Sequence, residues 1–376
     1  MIRILHTADV HLDSPFSGLP PRCAEMRRNE LRQTFVSMMT AAKRADCDLI
    51  LIAGDLFDGA LVTRETVRML CREFEDFGRP IFVAPGNHDP ASPGSVWQKV
   101  TFPDNVHVFT STDPEGIDLA DENGGDTGVT VYGYAFTGPD LTEVPFEGMR
   151  ADDPERINLL VCHCDMLGLK STDCPVTAAH LAAFGADYAA LGHIHNPPAA
   201  GPGNRYAYCG CPEPRAFDEL GPKGALFVEI EKEDGVSTVS LRRVRFSRRR
   251  YEKGEVDCTG VASLAEIRER IGQKAAAEGW GDDTLAQVRL TGFVPPSLLI
   301  DTEALADPRE YGLFSLRLTD STRPDADPEE LRSDPGIRGA IWRELESELN
   351  AEDPRRREVA LRALRYALCA VAGDTV

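Results

Sequence analysis

Short apolar runs that end at a polar cluster recur through the first half of the chain. The runs are four to six residues long and rich in Val, Ile and Leu, and they cover residues 2–5, 48–53, 80–84, 157–161 and 187–191. Runs of this length and composition are typical of interior strands rather than of helices. Stretches near 22–45, 63–77 and 176–185 are helical in character. The alternation predicts a mixed α/β arrangement.

Each apolar run is followed by side chains that can bind a metal ion. The clusters read Asp9-x-His11, Gly54-Asp55-x-x-Asp58, Gly86-Asn87-His88-Asp89, His163 and Gly192-His193-x-His195. Residues that follow strands lie in loops, where catalytic groups are usually found. Imidazole, carboxylate and amide oxygen hold manganese, iron and zinc, and this set is large enough for two ions. One such cluster alone is most often turn chemistry, but five in register favour a two-metal phosphoesterase.

The order of these clusters resembles the signature of the calcineurin-like metallophosphoesterases. Residues 5–16 and 217–224 also resemble SbcD-type DNA repair exonucleases, especially the YhaO-like group. The superfamily resemblance covers roughly residues 1 to 250. It implies an α/β (α+β) fold, a four-layer αββα metallophosphoesterase sandwich.

The resemblance also implies a role for each candidate ligand. Two divalent ions, most simply manganese with iron or zinc as alternatives, would be held by Asp9, His11 and His195 at one position, by Asn87, His163 and His193 at the other, and by Asp55 between them. A carboxylate suits the bridging place because its two oxygens can serve two cations about 3.5–4 Å apart. Together the ions activate water for attack on phosphorus.

His88 and Asp58 are the expected catalytic pair. His88 would stabilise developing charge or protonate the leaving oxygen, and Asp58 would hold its ring through the other nitrogen, as the resemblance implies. An alternative is that Asp58 caps the helix that begins near Thr63. Asp13 is interpreted as structural.

One departure from the related Ser/Thr protein phosphatases bears on the substrate. Those proteins place an arginine directly after the second Asp, whereas here Asp58 is followed by Gly59 and Ala60. A bidentate phosphate binder is therefore missing from that place. This favours a phosphodiester substrate.

The charge of the chain opposes a nucleic-acid substrate, because the net charge is −20 and phosphate contacts ordinarily need Lys and Arg. One segment is positively charged and contains six candidate DNA-contacting arginines: Arg242, Arg243, Arg245, Arg248, Arg249 and Arg250. An equally good interpretation is an edge strand that its charges protect from aggregation.

Ten cysteines occur in a chain too large to need a disulfide framework, so they are expected to be free thiols in a reducing compartment. Strand alternation places Cys162 and Cys164 on the face opposite His163. The N-terminal residues read as a strand rather than a signal peptide, and no apolar run has the roughly 20 residues of a membrane span. These features predict a cytoplasmic protein.

Three regions are expected: a catalytic domain over residues 1–250, a small α+β capping domain over 251–323 and a helical region over 324–376. Residues 113–128 are expected to form a surface loop, and residues 264–277 a helix of the cap between strands near 285–290 and 314–318. In the last region, Ile337, Ile341, Leu345 and Leu349 form one apolar stripe, and Leu361, Leu364, Leu368 and Val371 form another. These stripes either pack on their own chain or dock a partner.

Three functional hypotheses follow. The favoured one is a metal-dependent DNA exo/endonuclease that hydrolyses phosphodiester bonds in DNA repair, with an SbcC- or YhaN-like SMC-type ATPase as partner and a homodimer left open. The second is a phosphodiesterase of small nucleotides or other phosphoesters. The third, a noncatalytic scaffold, is disfavoured because it would be free to lose the ligands.

Overall fold

The computed structural model describes residues 1–59, 61–121, 123–168, 171–296 and 298–372. Ala60, Glu122 within the expected loop, and residues 373–376 of the expected helical region therefore lie outside the described residues. The chain divides into two compact units. The first contains residues 1–215 and 222–248, and the second contains residues 216–221 and those from Arg249 onward. None of the described helices is both long and apolar enough to cross a membrane.

Among the described residues, the first unit contains two sheets and four α-helices. Its strands are β1 (Ile2–Thr7), β2 (Leu49–Ile52), β3 (Ile81–Val83), β4 (Val106–Val108), β5 (Glu115–Ala120), β6 (Asp126–Gly133), β7 (Ile157–His163), β8 (Tyr188–Gly192), β9 (Tyr206–Tyr208), β10 (Gly224–Glu233) and β11 (Val236–Arg245). Its helices are α1 (Pro21–Arg44), α2 (Arg64–Phe77), α3 (Val96–Lys99) and α4 (Ala178–Phe184). The predicted strand and helix positions are confirmed to within a few residues.

The two sheets face each other across one apolar core. The first has the order β11-β10-β1-β2-β3-β4 and the second β5-β6-β7-β8-β9. Along β7, Leu159 and Val161 join the core shared with the first sheet, whereas Leu160 and Cys162 join a second cluster with Phe184 of α4. Helices α1 and α2 pack on the first sheet. This is the predicted four-layer αββα sandwich, and it brings the ends of β1, β2, β3, β7 and β8 to one edge.

The surface loop expected over residues 113–128 is wrong. Strand β5 pairs antiparallel with β6, beginning with Glu115 opposite Gly133. Arg156 lies 3.2 Å from the carboxylate of Asp118 and 2.6 Å from that of Asp126. The Gly and Asp content of this segment is typical of loops. The backbone hydrogen bonds between β5 and β6 and the ion pairs of Arg156 nevertheless stabilise it as a hairpin.

The second unit begins with a parallel sheet and ends with helices. Its strands are β12 (Arg250–Asp257), β13 (Thr284–Thr291), β14 (Phe293–Val294), β15 (Ser315–Asp320) and β16 (Arg323–Pro324). Its helices are α5 (Leu264–Ala277), α6 (Thr302–Leu305), α7 (Pro328–Ser333), α8 (Ile337–Leu349) and α9 (Pro354–Ala372). Helix α5 buries Ile267 and Ile271 with Val288 and Leu290 of β13. The predicted helix over 264–277 and the predicted strands near 285–290 and 314–318 are confirmed.

The last helices pack largely against one another. Leu364 and Leu368 of α9 form an apolar cluster with Leu331, and residues of α8 such as Leu345 pack against it. Arg365 of α9 donates to Asp320 and Thr322 at the end of β15. The outer ends of the stripes stay exposed, Ile337 by 63% and Val371 by 37%. The separation of residues 324–376 from the cap and their docking role stay predictions.

Candidate metal centre

The loops that follow β1 and β2 are joined by backbone hydrogen bonds. The Asp9 N–H donates to the oxygen of Gly54 at 3.0 Å, and the His11 N–H donates to the oxygen of Asp55 at 2.9 Å. The two loops therefore extend the parallel pairing of their strands by a few residues. As a result, side chains of two sequence motifs meet above the same sheet edge.

Four of the predicted ligands have a left-handed backbone that non-glycine residues rarely adopt. The φ angles are 51° for Asp9, 49° for His11, 51° for Asp55 and 102° for His193. Each such residue costs on the order of 1–3 kcal/mol, and these conformations cluster at functional sites. The loops thus hold their polar side chains in fixed directions at the expense of stability.

Two motif glycines are required by close approach rather than by a turn alone. A Cβ on Gly192 would lie 1.7 Å from the oxygen of Ala53, and a Cβ on Gly54 would lie 2.2 Å from Nδ1 of His163. Both distances are far inside contact. Glycine at these positions therefore lets the two sheets bring their ligand loops together.

One group of candidate ligands comes from the first and last motifs. Asp9, His11 and His195 each offer an atom within 4.8 Å of the others. Nε2 of His11 lies 3.2 Å from Nε2 of His195, which lies 3.7 Å from Oδ1 of Asp9. Asp9 and His11 are fully buried, and burial lowers the pKa of His11. A neutral imidazole is the form that binds a metal ion.

A second group forms on the other side of Asp55. Nε2 of His163 lies 2.9 Å from Oδ1 of Asn87 and 3.4 Å from Oδ2 of Asp55. The rings of His163 and His193 are 5.2 Å apart. Burial, followed by the proximity of His163, lowers the pKa of His193. The seven predicted ligands thus fall into two adjacent groups.

The surroundings of His163 fit a cation. Its Nδ1 lies 3.0 Å from the carbonyl oxygen of Ala53 and must carry the hydrogen. In the neutral, metal-binding form the imidazole has one hydrogen, on Nδ1, and the lone pair of Nε2 then faces the oxygens of Asn87 and Asp55. Three acceptors pointing at one place is the arrangement that a divalent ion satisfies. The carbonyl also fixes the ring orientation, which is the usual second partner of a metal-binding histidine.

Asp55 lies between the groups, as a bridging ligand must. Its Oδ2 is 3.6 Å from Nε2 of His11 and 3.4 Å from Nε2 of His163. Burial favours its neutral form, but the nearby His163, His11 and His88 outweigh burial and lower the pKa of Asp55. The carboxylate is therefore ionised and can offset the charge of two cations.

His88 differs from the predicted ligands because its side chain is 46% exposed. Its Nδ1 lies 3.1 Å from Oδ1 of Asp58, and this hydrogen bond raises the pKa of His88. The nearby ring of His11 and the hydrogen bonds from His88 and Ser14 outweigh burial and lower the pKa of Asp58. The ionised Asp58 thus favours a protonated His88 at the open side of the centre.

The alternative in which Asp58 caps a helix is wrong. Thr63 caps α2 with its own hydroxyl, which accepts from the N–H of Thr66 at 3.2 Å. Asp13 accepts from the N–H of Thr63 at 2.7 Å and from the hydroxyl of Thr66 at 2.8 Å. Asp13 therefore has the structural role expected of it, which is to tie the first motif to the start of α2.

Sequence reasoning missed Arg215. Its Nη1 lies 3.2 Å from Oδ1 of Asp58 and 3.5 Å from the hydroxyl of Ser14. An arginine therefore does approach Asp58, from a segment more than 150 residues away in the chain. A lone arginine after a Pro-rich stretch carries no sequence signal of such a contact.

Asp89 closes its motif without facing the ligands. Its carboxylate accepts from the N–H of Gly86 at 2.8 Å and from the N–H of Phe57 at 3.1 Å. Burial, together with the nearby Asp55, raises the pKa of Asp89 well above its usual range. It braces the loops after β2 and β3 against each other.

The candidate DNA-contacting arginines fall in both units of the chain. Residues 242, 243, 245 and 248 belong to the first unit, and residues 249 and 250 to the second. Arg243 donates to the backbone oxygens of Tyr208 and Cys209, and Arg249 lies over the ring of Phe314 at 3.8 Å. Strand β11, which carries the first three, is an edge strand. The nucleic-acid role of these residues stays a prediction.

The two cysteines that flank His163 lie away from the predicted ligands, as strand alternation predicted. Cys162 and Cys164 are fully buried in the second apolar cluster, which also contains Leu160 and Phe184, and their sulfur atoms are 3.9 Å apart. The contact with Cys162, together with burial, raises the pKa of the Cys164 thiol well above its usual range. Such a thiol is unreactive.

Comparisons with known proteins agree with this geometry. The profile of the calcineurin-like phosphoesterase family matches residues 2–197. The chain is 30% identical over 353 residues to the uncharacterized metallophosphoesterase YhaO of Bacillus subtilis, a match that covers 86% of this chain and 83% of that protein. It is 27% identical over 289 residues to the DNA double-strand break repair protein Mre11 of Aeropyrum pernix, covering 70% and 66%. It is 26% identical over 228 residues to the SbcD component of the nuclease SbcCD of Staphylococcus epidermidis, covering 52% and 57%.

The chain belongs to the calcineurin-like phosphoesterase family. It is a metal-dependent phosphoesterase and therefore a hydrolase. Members of this family use a two-metal centre, and the described residues bring candidate metal-binding groups together. The resemblance to the SbcD and YhaO group is confirmed.

Proposed function

We propose that this chain is a two-metal-dependent DNA exo/endonuclease that hydrolyses phosphodiester bonds in DNA repair. The observation that carries the proposal is Asp55, an ionised and buried carboxylate that lies within 3.6 Å of a histidine from each ligand group. The similarity to a DNA double-strand break repair protein and to a nuclease component supports DNA as the substrate.

In the proposed centre, Asp9, His11 and His195 would hold one divalent ion, Asn87, His163 and His193 would hold the other, and Asp55 would be shared between the two. The ions would supply Lewis acidity and an activated water for hydrolysis of the phosphodiester. Manganese is the proposed metal because the set mixes imidazole with carboxylate and amide oxygen. Four imidazoles make iron and zinc the alternatives.

The remaining steps belong to side chains of this chain. Asp58 accepts the hydrogen of Nδ1 and so turns the other ring nitrogen of His88 away from itself. An open groove of about 330 Å³ adjoins His88. His88, kept protonated by Asp58, donates a proton to the leaving oxygen of a phosphodiester in that groove. Arg215 forms an ion pair with Asp58 and so helps to fix the position of its carboxylate.

The proposed partner is an SbcC- or YhaN-like SMC-type ATPase. The support is the similarity to one component of the nuclease SbcCD and the exposed apolar residues of the last helices, such as Ile337 and Val359. A homodimer is a further proposed assembly. The free cysteine thiols support the reducing cytoplasm as the location.

A second candidate function is hydrolysis of small nucleotides, which the net charge of −20 favours because an acidic surface repels a long polyanion. The test is digestion of linear duplex and single-stranded DNA with added manganese, with and without the candidate ATPase, beside a chromogenic phosphodiester. The nuclease proposal expects DNA cleavage that a chelator abolishes. Turnover of the small substrate with intact DNA in every arm would instead support the second function.

A further inference from the structure

A polar groove lies between α1 and α2 of the first unit, outside the metal centre. Its volume is about 590 Å³. Val36 and Met69 contribute apolar surface, and four arginines line it: Arg32, Arg68, Arg72 and Arg248. The lining includes one acidic residue, Glu65. We refer to this site as the arginine-lined groove.

The charge of the groove is opposite to that of the chain. The sequence contains 61 acidic and 41 basic residues, yet the lining has four arginines against one glutamate. Among the residues that the structure describes, the guanidinium groups of Arg68 and Arg248 have no acidic partner within ion-pair distance, and both residues are exposed. A local positive surface on an acidic protein attracts a negatively charged ligand.

The arginines are spaced to follow an extended ligand. Arg68 and Arg72 are four residues apart on α2 and thus lie on one face, about 6 Å apart along the helix axis. Arg248 approaches the groove from the end of the first unit's chain. A guanidinium matches phosphate oxygens with two parallel hydrogen bonds. Arg32 is also paired with Glu65 at 3.5 Å and Arg72 with Glu73 at 3.0 Å. Arg68 and Arg248 are therefore the two guanidinium groups that best suit a ligand with repeated phosphates.

Arg32 connects the groove to the metal centre. Its Nη1 lies 3.2 Å from Oδ1 of Asp13, and its side chain is 14% exposed. Asp13 follows the ligand His11 by two residues and also accepts from Thr66 of α2. The wall of the groove is therefore fixed to the loop that carries Asp9 and His11.

We infer that the arginine-lined groove binds the sugar–phosphate backbone of the DNA substrate and guides it toward the metal centre. This inference rests on the proposed nuclease function and adds the surface that supplies affinity. The contacts are to phosphate, so they are independent of base sequence. They also allow an acidic chain to hold a polyanion.

The test compares two double variants of the holoenzyme. Arg68→Ser with Arg248→Ser removes two charges from the groove. The matched control, Arg22→Ser with Arg44→Ser, removes two exposed arginines of α1 that do not line it. Binding of a labelled phosphorothioate duplex is measured against salt concentration. We expect the groove variant to bind more weakly and its slope of log affinity against log salt to shrink by about 0.9 per arginine. The control keeps the wild-type slope.

Turnover of a chromogenic phosphodiester and metal content should match the wild type in both variants. Wild-type DNA affinity and salt slope in the groove variant, while the wild-type enzyme cleaves DNA, would overturn the groove assignment and leave the nuclease proposal standing. A wild-type enzyme that neither binds nor cleaves DNA would overturn both. Unchanged DNA binding together with lost binding of the ATPase would assign the groove to a protein partner instead.

Discussion

The metal centre and the arginine-lined groove lie in the same unit and are both rich in charged side chains, but they hold those side chains differently. In the centre, Asp9 and His11 are fully buried on strained loops. In the groove, Arg68 and Arg248 are exposed. Burying a charged group is costly unless it has fixed partners, so the centre suits chemistry with one geometry. The groove suits affinity for a ligand that can move along it.

The largest expected effect comes from removing the shared carboxylate. Asp55→Asn keeps the size of the side chain but removes one negative charge between the two ligand groups. We expect the loss of at least one ion per chain and, because the ions supply several kcal/mol of transition-state stabilisation, a fall in turnover of about a thousandfold or more on DNA and on a small phosphodiester alike. Metal analysis and steady-state kinetics measure both. Two retained ions and normal turnover would contradict the bridging role.

Removal of His88 should separate chemistry from metal binding. His88→Ala is expected to keep both ions and to lower phosphodiester cleavage by about 10² to 10⁴, the usual contribution of a positioned acid. Asp58→Asn should cause a milder loss because an amide oxygen can still accept from Nδ1 of His88. The readout is turnover of DNA at matched metal content. A fully active His88→Ala enzyme on DNA would end this assignment.

Arg215 offers a smaller effect inside the centre. Its guanidinium lies 3.2 Å from Asp58 and acts on the substrate through Asp58 and His88, as a positioning residue. Groups that orient active-site side chains are typically worth about 10- to 100-fold. We expect Arg215→Gln to lower kcat within that range with KM and metal content little changed, and Arg215→Lys to recover part of the loss. Equal kcat in Gln and wild-type enzymes would remove Arg215 from the machinery.

The sequence identified the polar residues that gather at the sheet edge better than the residues that contact them, for a physical reason. Predicted ligands such as Asp9 and His163 follow apolar strands, and that local pattern marks the sheet edge. The contact of Arg215 with Asp58 depends instead on long-range packing, in which Glu213 forms an ion pair with the buried Arg27 of α1. No local periodicity encodes such a contact. The groove was likewise invisible, because two helices and Arg248 form it only after folding.

The same limit explains the hairpin error. Residues 113–128 have the Gly and Asp content of a loop. Their backbone nevertheless pairs in the β5–β6 ladder, and Arg156 forms an ion pair with Asp118. Helix α5, by contrast, was predicted over the residues it occupies, because its apolar spacing and its Ser263 cap are local features. Local patterns were therefore sufficient to predict single helices and strands. The hairpin was missed because its pairing depends on residues distant in the sequence.

The smallest expected effect on catalysis comes from Asp13, which lies where the centre and the groove meet. Its carboxylate accepts from the N–H of Thr63, the hydroxyl of Thr66 and the guanidinium of Arg32. An asparagine has one oxygen in place of two, so Asp13→Asn leaves at least one of these donors facing an NH₂ group. We expect the free energy of unfolding to fall by about 1–3 kcal/mol, measured by chemical denaturation.

Turnover of a small phosphodiester by the Asp13→Asn enzyme should stay near that of the wild type, because no predicted ligand is changed. The salt dependence of DNA binding should weaken slightly as Arg32 loses its anchor. Loss of small-substrate turnover at full metal content would instead make Asp13 part of the centre and remove the distinction between the two regions.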